Sequence, residues 1–146
     1  MTETMTAREG IQELYGRYPI EMDRDNEVEL PDCFTEDGVF TISGQGRHVG
    51  REEIAELVRR TAAGRPRHYT TNVHIQAVEG DAARSRATFL LVDVETGANV
   101  AFGSYTDEPV RCADGRWRFR SRRVQFEWTS ADYAAAGRAK ATPLPD

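Results

Sequence analysis

The feature that most constrains this chain is the run from Tyr69 to Trp128, where long apolar-polar alternations are separated only by short turn sequences. "YTTNVHIQAV" ends at "EGD", "ARSRATFLLVDV" at "ETG", and "NVAFGSYTDEPVR" at "ADG", leaving "RWRFRSRRVQFEW" as the last strand. Period-two alternation broken by glycine turns predicts strands joined by hairpins, and therefore an antiparallel meander. At 146 residues the chain has room for one domain with a sizeable core. We place it at residues 1–130, with 131–146 as a tail rich in Ala and Pro.

The segment before the meander reads as helical. Ile11, Leu14, Tyr15, Tyr18 and Met22 recur at helical spacing, and Thr6 with Glu9 forms a capping-box pattern. Pro19 removes a backbone donor and predicts a kink near Tyr15. A short helical piece is expected over "NEVELPDCF", a strand over "GVFTIS", and a helix over "REEIAELVRR" with Ile54, Leu57 and Val58 on one face. Helices followed by strands give an α+β fold. Helices laid on a strongly curved antiparallel sheet enclose a conical cavity, the natural place for a ligand.

A formal net charge of -5 argues against nucleic acid or an anionic membrane as partner. The arginines of "RWRFRSRR" read as the solvated face of a strand. No apolar stretch is long enough to span a membrane and the N-terminus lacks a leader pattern, so a cytoplasmic protein with Cys33 and Cys112 reduced is expected. No Gly-rich phosphate loop, metal-ligand spacing or Ser/Cys nucleophile pattern occurs in the sequence, and chemistry without a cofactor is expected.

"IQELYGRYPIEMDRDN", "CFTEDGVFTISGQGRHVGREEI", "HYTTN" and "DGRWRFRSRR", in that order, resemble the SnoaL-like branch of the nuclear transport factor 2-like superfamily. The likeness runs from about Ala7 to Trp128. It is nearest to the dehydratase and dehydrochlorinase group, which includes scytalone dehydratase, bile-acid dehydratase and hexachlorocyclohexane dehydrochlorinase. The resemblance implies a cone-shaped α+β barrel with an internal pocket for a small, mostly apolar organic substrate. It also implies a homodimer or homotrimer assembled through the outer sheet face.

The resemblance further implies a catalytic pair, with Asp23 of "EMDRD" orienting His68 of "RHYTTN". A neutral imidazole is a usable base at physiological pH, and a carboxylate on its other nitrogen fixes the tautomer. On an unbroken helix Asp25 falls deeper in the apolar face than Asp23, so the choice of Asp23 follows the resemblance. Strict alternation sets His68, Asn72 and His74 opposite Val73 and Ile75, and a bulge would re-aim the start of that strand. By the same likeness Tyr18 is a hydrogen-bond donor to a substrate carbonyl or leaving hydroxyl. Arg122 is the group that holds an anionic leaving group or enolate, provided a bulge lies near Arg120–Ser121; otherwise Arg123 takes its place. Asn72 is a candidate substrate contact and Asp93 a second pocket carboxylate. Phe40, Leu57, Phe89, Leu91, Phe102, Phe126 and Trp128 are candidates for the apolar wall.

Three readings stay open. The first is a cofactor-independent lyase of dehydratase type. The second is a polyketide cyclase or double-bond isomerase that uses the same residues. The third is a small-molecule-binding or accessory subunit without catalysis.

Overall fold

The computed structural model describes residues 5–62 and 65–136. Helix α1 spans Ala7–Asp23 and buries Ile11, Leu14, Tyr15, Tyr18 and Met22, the face read from the sequence. The capping box is formed: the Glu9 backbone N–H donates to Thr6 Oγ1 (3.2 Å) and the Thr6 N–H to Glu9 Oε2 (2.7 Å). The helix continues through buried Pro19 to Asp23 and leaves by way of Asp25, whose φ of 54° is left-handed.

Where a second helical piece was expected, the chain makes turns and one 3-10 turn at Pro31–Cys33. Asn26 Oδ1 accepts the N–H groups of Val28 and Glu29. Pro31, lacking a donor, stops a helix from propagating across so short a stretch.

Strand β1 (Phe34–Ile42) forms a hairpin with β2 (Gly46–Val49), a strand without an expectation in the sequence. Helix α2 (Gly50–Thr61) buries Ile54, Ala55, Leu57 and Val58. The meander follows as β3 (Arg67–Glu79), β4 (Ala82–Val92), β5 (Asn99–Arg111) and β6 (Trp117–Thr129). A last short helix, α3 (Ala131–Ala135), is capped by Ser130. Most of the expected tail lies outside the described residues.

The six strands form one curved, unclosed sheet in the order β2-β1-β6-β5-β4-β3. Helix α1 lies on β3 and β6, and α2 on β1 and β2. The meander is antiparallel as expected, but β1 joins β6 in parallel, so the sheet as a whole is mixed.

Bulges bend the strands and decide which side chains face inward. In β3, Thr71 pairs with Thr88 but His74 with Arg86, which makes room for one extra residue at Asn72, φ 52°. His68 and Ile75 therefore share the inner face despite their opposite parity. In β6, Phe119 pairs with Pro109 but Ser121 with Glu108, so the expected bulge falls at Arg120. Phe119 and Arg122 both turn inward as a result, and both are fully buried.

Gly103 marks the tightest approach across the meander. A Cβ added there would fall inside van der Waals contact of the Gln125 carbonyl oxygen and press on the Phe89 ring. Gly103→Ala is expected to destabilise the fold by about 1–3 kcal/mol through this overpacking. Urea unfolding of the two proteins checks it; equal midpoints would mean that β5 and β6 can separate freely here.

Candidate active site

Between α1, α2 and the inner sheet face lies a funnel enclosing about 560 Å³, its open mouth included. Tyr18, Phe40, Leu57, His68, Tyr105 and Phe126 are among its lining residues. Of the seven expected wall residues, Phe40, Leu57 and Phe126 line the funnel and the other four do not. Phe89 and Leu91 are buried in the core without reaching the funnel. Phe102 and Trp128 stack on each other outside the sheet (centroids 5.7 Å), each more than 40% exposed. The small residues Ala101 and Gly103 take the inward positions on that strand, so Phe102 must point out.

Asp23 ends α1 beside the first residues of β3, and both sides of that junction meet. His68 Nδ1 lies 2.7 Å from Asp23 Oδ1, and the His68 backbone N–H donates to the same carboxylate at 3.0 and 3.2 Å. Ring and main chain are thus held by one anion, with both side chains mostly buried (13% and 15% exposed). A carboxylate at Nδ1 selects the tautomer protonated there and leaves the Nε2 lone pair free. The other helix-end candidate, Asp25, turns instead to Arg65, its Oδ1 2.7 Å from Arg65 Nε.

Arg122 sits beneath the funnel floor rather than in its wall. Its Nε and Nη2 donate to the two oxygens of Asp107 at 2.9 and 2.8 Å, and both side chains are fully buried. The guanidinium lies 3.8 Å from the Tyr105 ring centroid, 3.9 Å from Phe119 and 4.2 Å from Tyr18. Burial opposes its charge, but Asp107 outweighs that and holds the cation firmly protonated. The expected direct contact of Arg122 with a leaving group is therefore corrected: its charge reaches the funnel through aromatic rings. Arg123, the fallback, pairs with Thr106 and Thr41 in the sheet and is only half-buried.

Two further expectations are corrected. Asn72 is the bulged residue, exposed outside the sheet, where its Nδ2 donates to Thr88 Oγ1 at 2.9 Å. Asp93 caps the β4–β5 turn by accepting the N–H groups of Glu95 and Thr96, away from the funnel. His74 also points outward. Cys33 is buried and burial pushes its thiol up to about 12, so it packs without acting as a nucleophile.

Three residues of the site were missed in the sequence. Asp107 partners Arg122; its signal was a carboxylate at the inward parity of Tyr105 in "SYTDEP". Tyr105 itself lines the funnel. Arg65, three residues before His68, also lines it, with Nη2 donating to the Val58 carbonyl and to Thr61 Oγ1 at 3.0 Å each. A further contact runs from Arg65 Nη1 to Met22 Sδ, so this side chain straps the end of α2 to the end of α1.

Comparison with known proteins agrees with this architecture. The SnoaL-like domain family model matches residues 3–123. The gamma-hexachlorocyclohexane dehydrochlorinase of Sphingobium indicum is 29% identical over 126 residues, covering 82% of this chain and 80% of that protein. Among solved structures, a hexachlorocyclohexane dehydrochlorinase from Novosphingobium barchaimii superposes with a TM-score of 0.72 at 27% identity, covering 85% of this chain and 88% of that one. A nuclear transport factor 2-like protein with a cystatin-like fold from Novosphingobium aromaticivorans gives 0.74 at 27% identity, covering 88% and 86%. With the family model spanning most of the sequence and the sheet, helices and funnel arranged as described, the chain belongs to the SnoaL-like domain family.

Proposed function

We propose that the protein is a cofactor-independent lyase acting on a small, mostly apolar cyclic compound, with His68 as its base and Asp23 as the group that orients it. The observation that carries this reading is the Asp23–His68 contact at the wall of an otherwise largely apolar funnel. The dehydrochlorinase relatives, named for an elimination, support it. His68 Nε2 takes a proton from a carbon beside a carbonyl or beside the carbon that bears the leaving group. The C–H electrons become the new double bond, and the leaving group departs with the electrons of its own bond. Asp23 stabilises the imidazolium, the Tyr18 phenol donates a hydrogen bond to the departing oxygen, and the proton held on His68 Nε2 passes to the hydroxide so that it leaves as water. Substrate-independent evidence comes from deuterium wash-in at the carbon next to the carbonyl of 1-tetralone in heavy water. Exchange by the wild type and none by His68→Ala supports the reading. Tetralone that binds without exchange favours a binding module instead.

The homo-oligomer implied by the resemblance belongs to the same reading. Tyr69, Leu90, Phe102 and Trp128 stand in register across four strands of the outer sheet face. The next row, Thr71, Thr88, Ser104 and Gln125, carries no charge. A continuous apolar row beside a neutral one suits face-to-face packing with a second copy. Sedimentation should give a mass that is a multiple of 16.4 kDa, and Trp128→Glu should reduce it to that value. A wild type that sediments as a single chain at micromolar concentration would end this part of the reading.

A further inference from the structure

Tyr105 lines the funnel with a polar end that has no hydrogen-bond partner among the described residues. Its ring is fixed: it is 2% exposed, tilts against Phe89 at 4.8 Å, meets Tyr18 edge-on at 6.0 Å, and lies over the Arg122 guanidinium. Among the described residues, no hydrogen bond joins its hydroxyl to a partner, although the side chain borders the funnel. A buried phenol normally finds an acceptor. The neighbouring Tyr15 does so, donating to Asp107 and meeting Ser85. Tyr105, next to the same pair, keeps its donor for whatever occupies the funnel.

We propose that Tyr105 is a substrate-binding residue whose hydroxyl, beside that of Tyr18, donates a hydrogen bond to a ligand oxygen, so that the funnel takes a carbonyl- or hydroxyl-bearing ring compound rather than a hydrocarbon or a purely halogenated one. This deepens the lyase reading and rests on it for the claim that the ligand is a substrate. Both phenols line the funnel with ring centroids 6.0 Å apart, and an oxygen held by their hydroxyls gains donors without introducing a second charge. Burial pushes both phenols well above their ordinary value, only partly offset by Arg122, so both hydroxyls keep their protons and act as donors. The cation packed against both rings polarises those O–H bonds and favours negative charge building up on the oxygen they hold. An enolate oxygen formed when a proton leaves the adjacent carbon is such a charge.

The test uses 1-tetralone, which can only accept, and tetralin, the same ring system without the oxygen. Carbonyl stretching of tetralone bound to the wild type should shift to lower frequency than in hydrocarbon solvent. In Tyr105→Phe the band should move back toward the solvent position, and affinity for tetralone should fall about three- to tenfold, the worth of one neutral hydrogen bond. Affinity for tetralin should stay unchanged, because the ring and its packing remain. A band at the solvent position in the wild type, or one that Tyr105→Phe does not move, overturns the proposal. Loss of tetralin binding in Tyr105→Phe also overturns it, since the hydroxyl would then be holding the funnel together. Failure of the lyase reading looks different: the carbonyl shift would be present while deuterium exchange is absent.

Discussion

His68→Ala should lower proton abstraction on the order of 10²–10⁴-fold, the usual contribution of a positioned general base. The ring lines the funnel, and the arrangement around it leaves one nitrogen to do the work. Nδ1 is engaged by Asp23 at 2.7 Å, which leaves Nε2 as the lone pair available to a substrate C–H. Asp23→Asn should lower the rate on the order of 10²-fold, because the amide keeps the shape but loses the charge that steadies the imidazolium. It also keeps an oxygen that can accept the His68 backbone N–H, so the start of β3 stays in place, which Asp23→Ala would not guarantee. Deuterium wash-in to 1-tetralone reads both variants, and ring ¹⁵N shifts of His68 read the tautomer. A rate within twofold of wild type in Asp23→Asn would sink the pair as a unit, whatever His68→Ala does.

How far this site was legible depended on whether its geometry followed strand parity. The meander was legible because its turns are written locally: Gly80, Gly97 and Gly115 all take positive φ between alternating strands. The apolar face of α1 was legible for the same reason of period. The parallel pairing of β1 with β6 was not, since it joins segments about eighty residues apart and leaves no local mark. The bulges were the main obstacle. One extra residue at Asn72 sends that side chain out and lets His68 and Ile75 share a face, and no composition signal separates it from its neighbours. The expected bulge at Arg120 was inferred only because Phe119 and Arg122 otherwise conflicted. Arg65, Tyr105 and Asp107 were passed over because single polar residues in a strand or loop read as solvated by default. Their roles depend on partners from other elements: Asp25 for Arg65, Arg122 for Asp107. The pairing of Asp23 with His68 came from resemblance, since helical projection alone favoured Asp25, which the left-handed exit of the helix turns toward Arg65.

Asp107→Ala should destabilise the fold by about 3–5 kcal/mol, the effect expected when one member of a buried ion pair is removed. For a chain of this size that is roughly a 10–15 °C fall in Tm. The reason lies in what remains. Arg122 cannot shed its proton, and the surrounding Tyr18, Tyr105 and Phe119 offer cation-π attraction but no negative charge to balance it. The Tyr15 hydroxyl would also lose its carboxylate partner, leaving Ser85 alone to satisfy it. Replacing both members, as Arg122→Met with Asp107→Leu, should recover most of the loss, because the desolvation of two charges disappears together with their attraction. Thermal melts of the single and double variants decide this, and a single variant no less stable than the double would mean that water reaches Arg122. The double variant then separates stability from chemistry. If it folds near wild-type stability yet exchanges tetralone poorly, the pair is retained for the charge it places beneath Tyr18 and Tyr105, not for its contribution to folding.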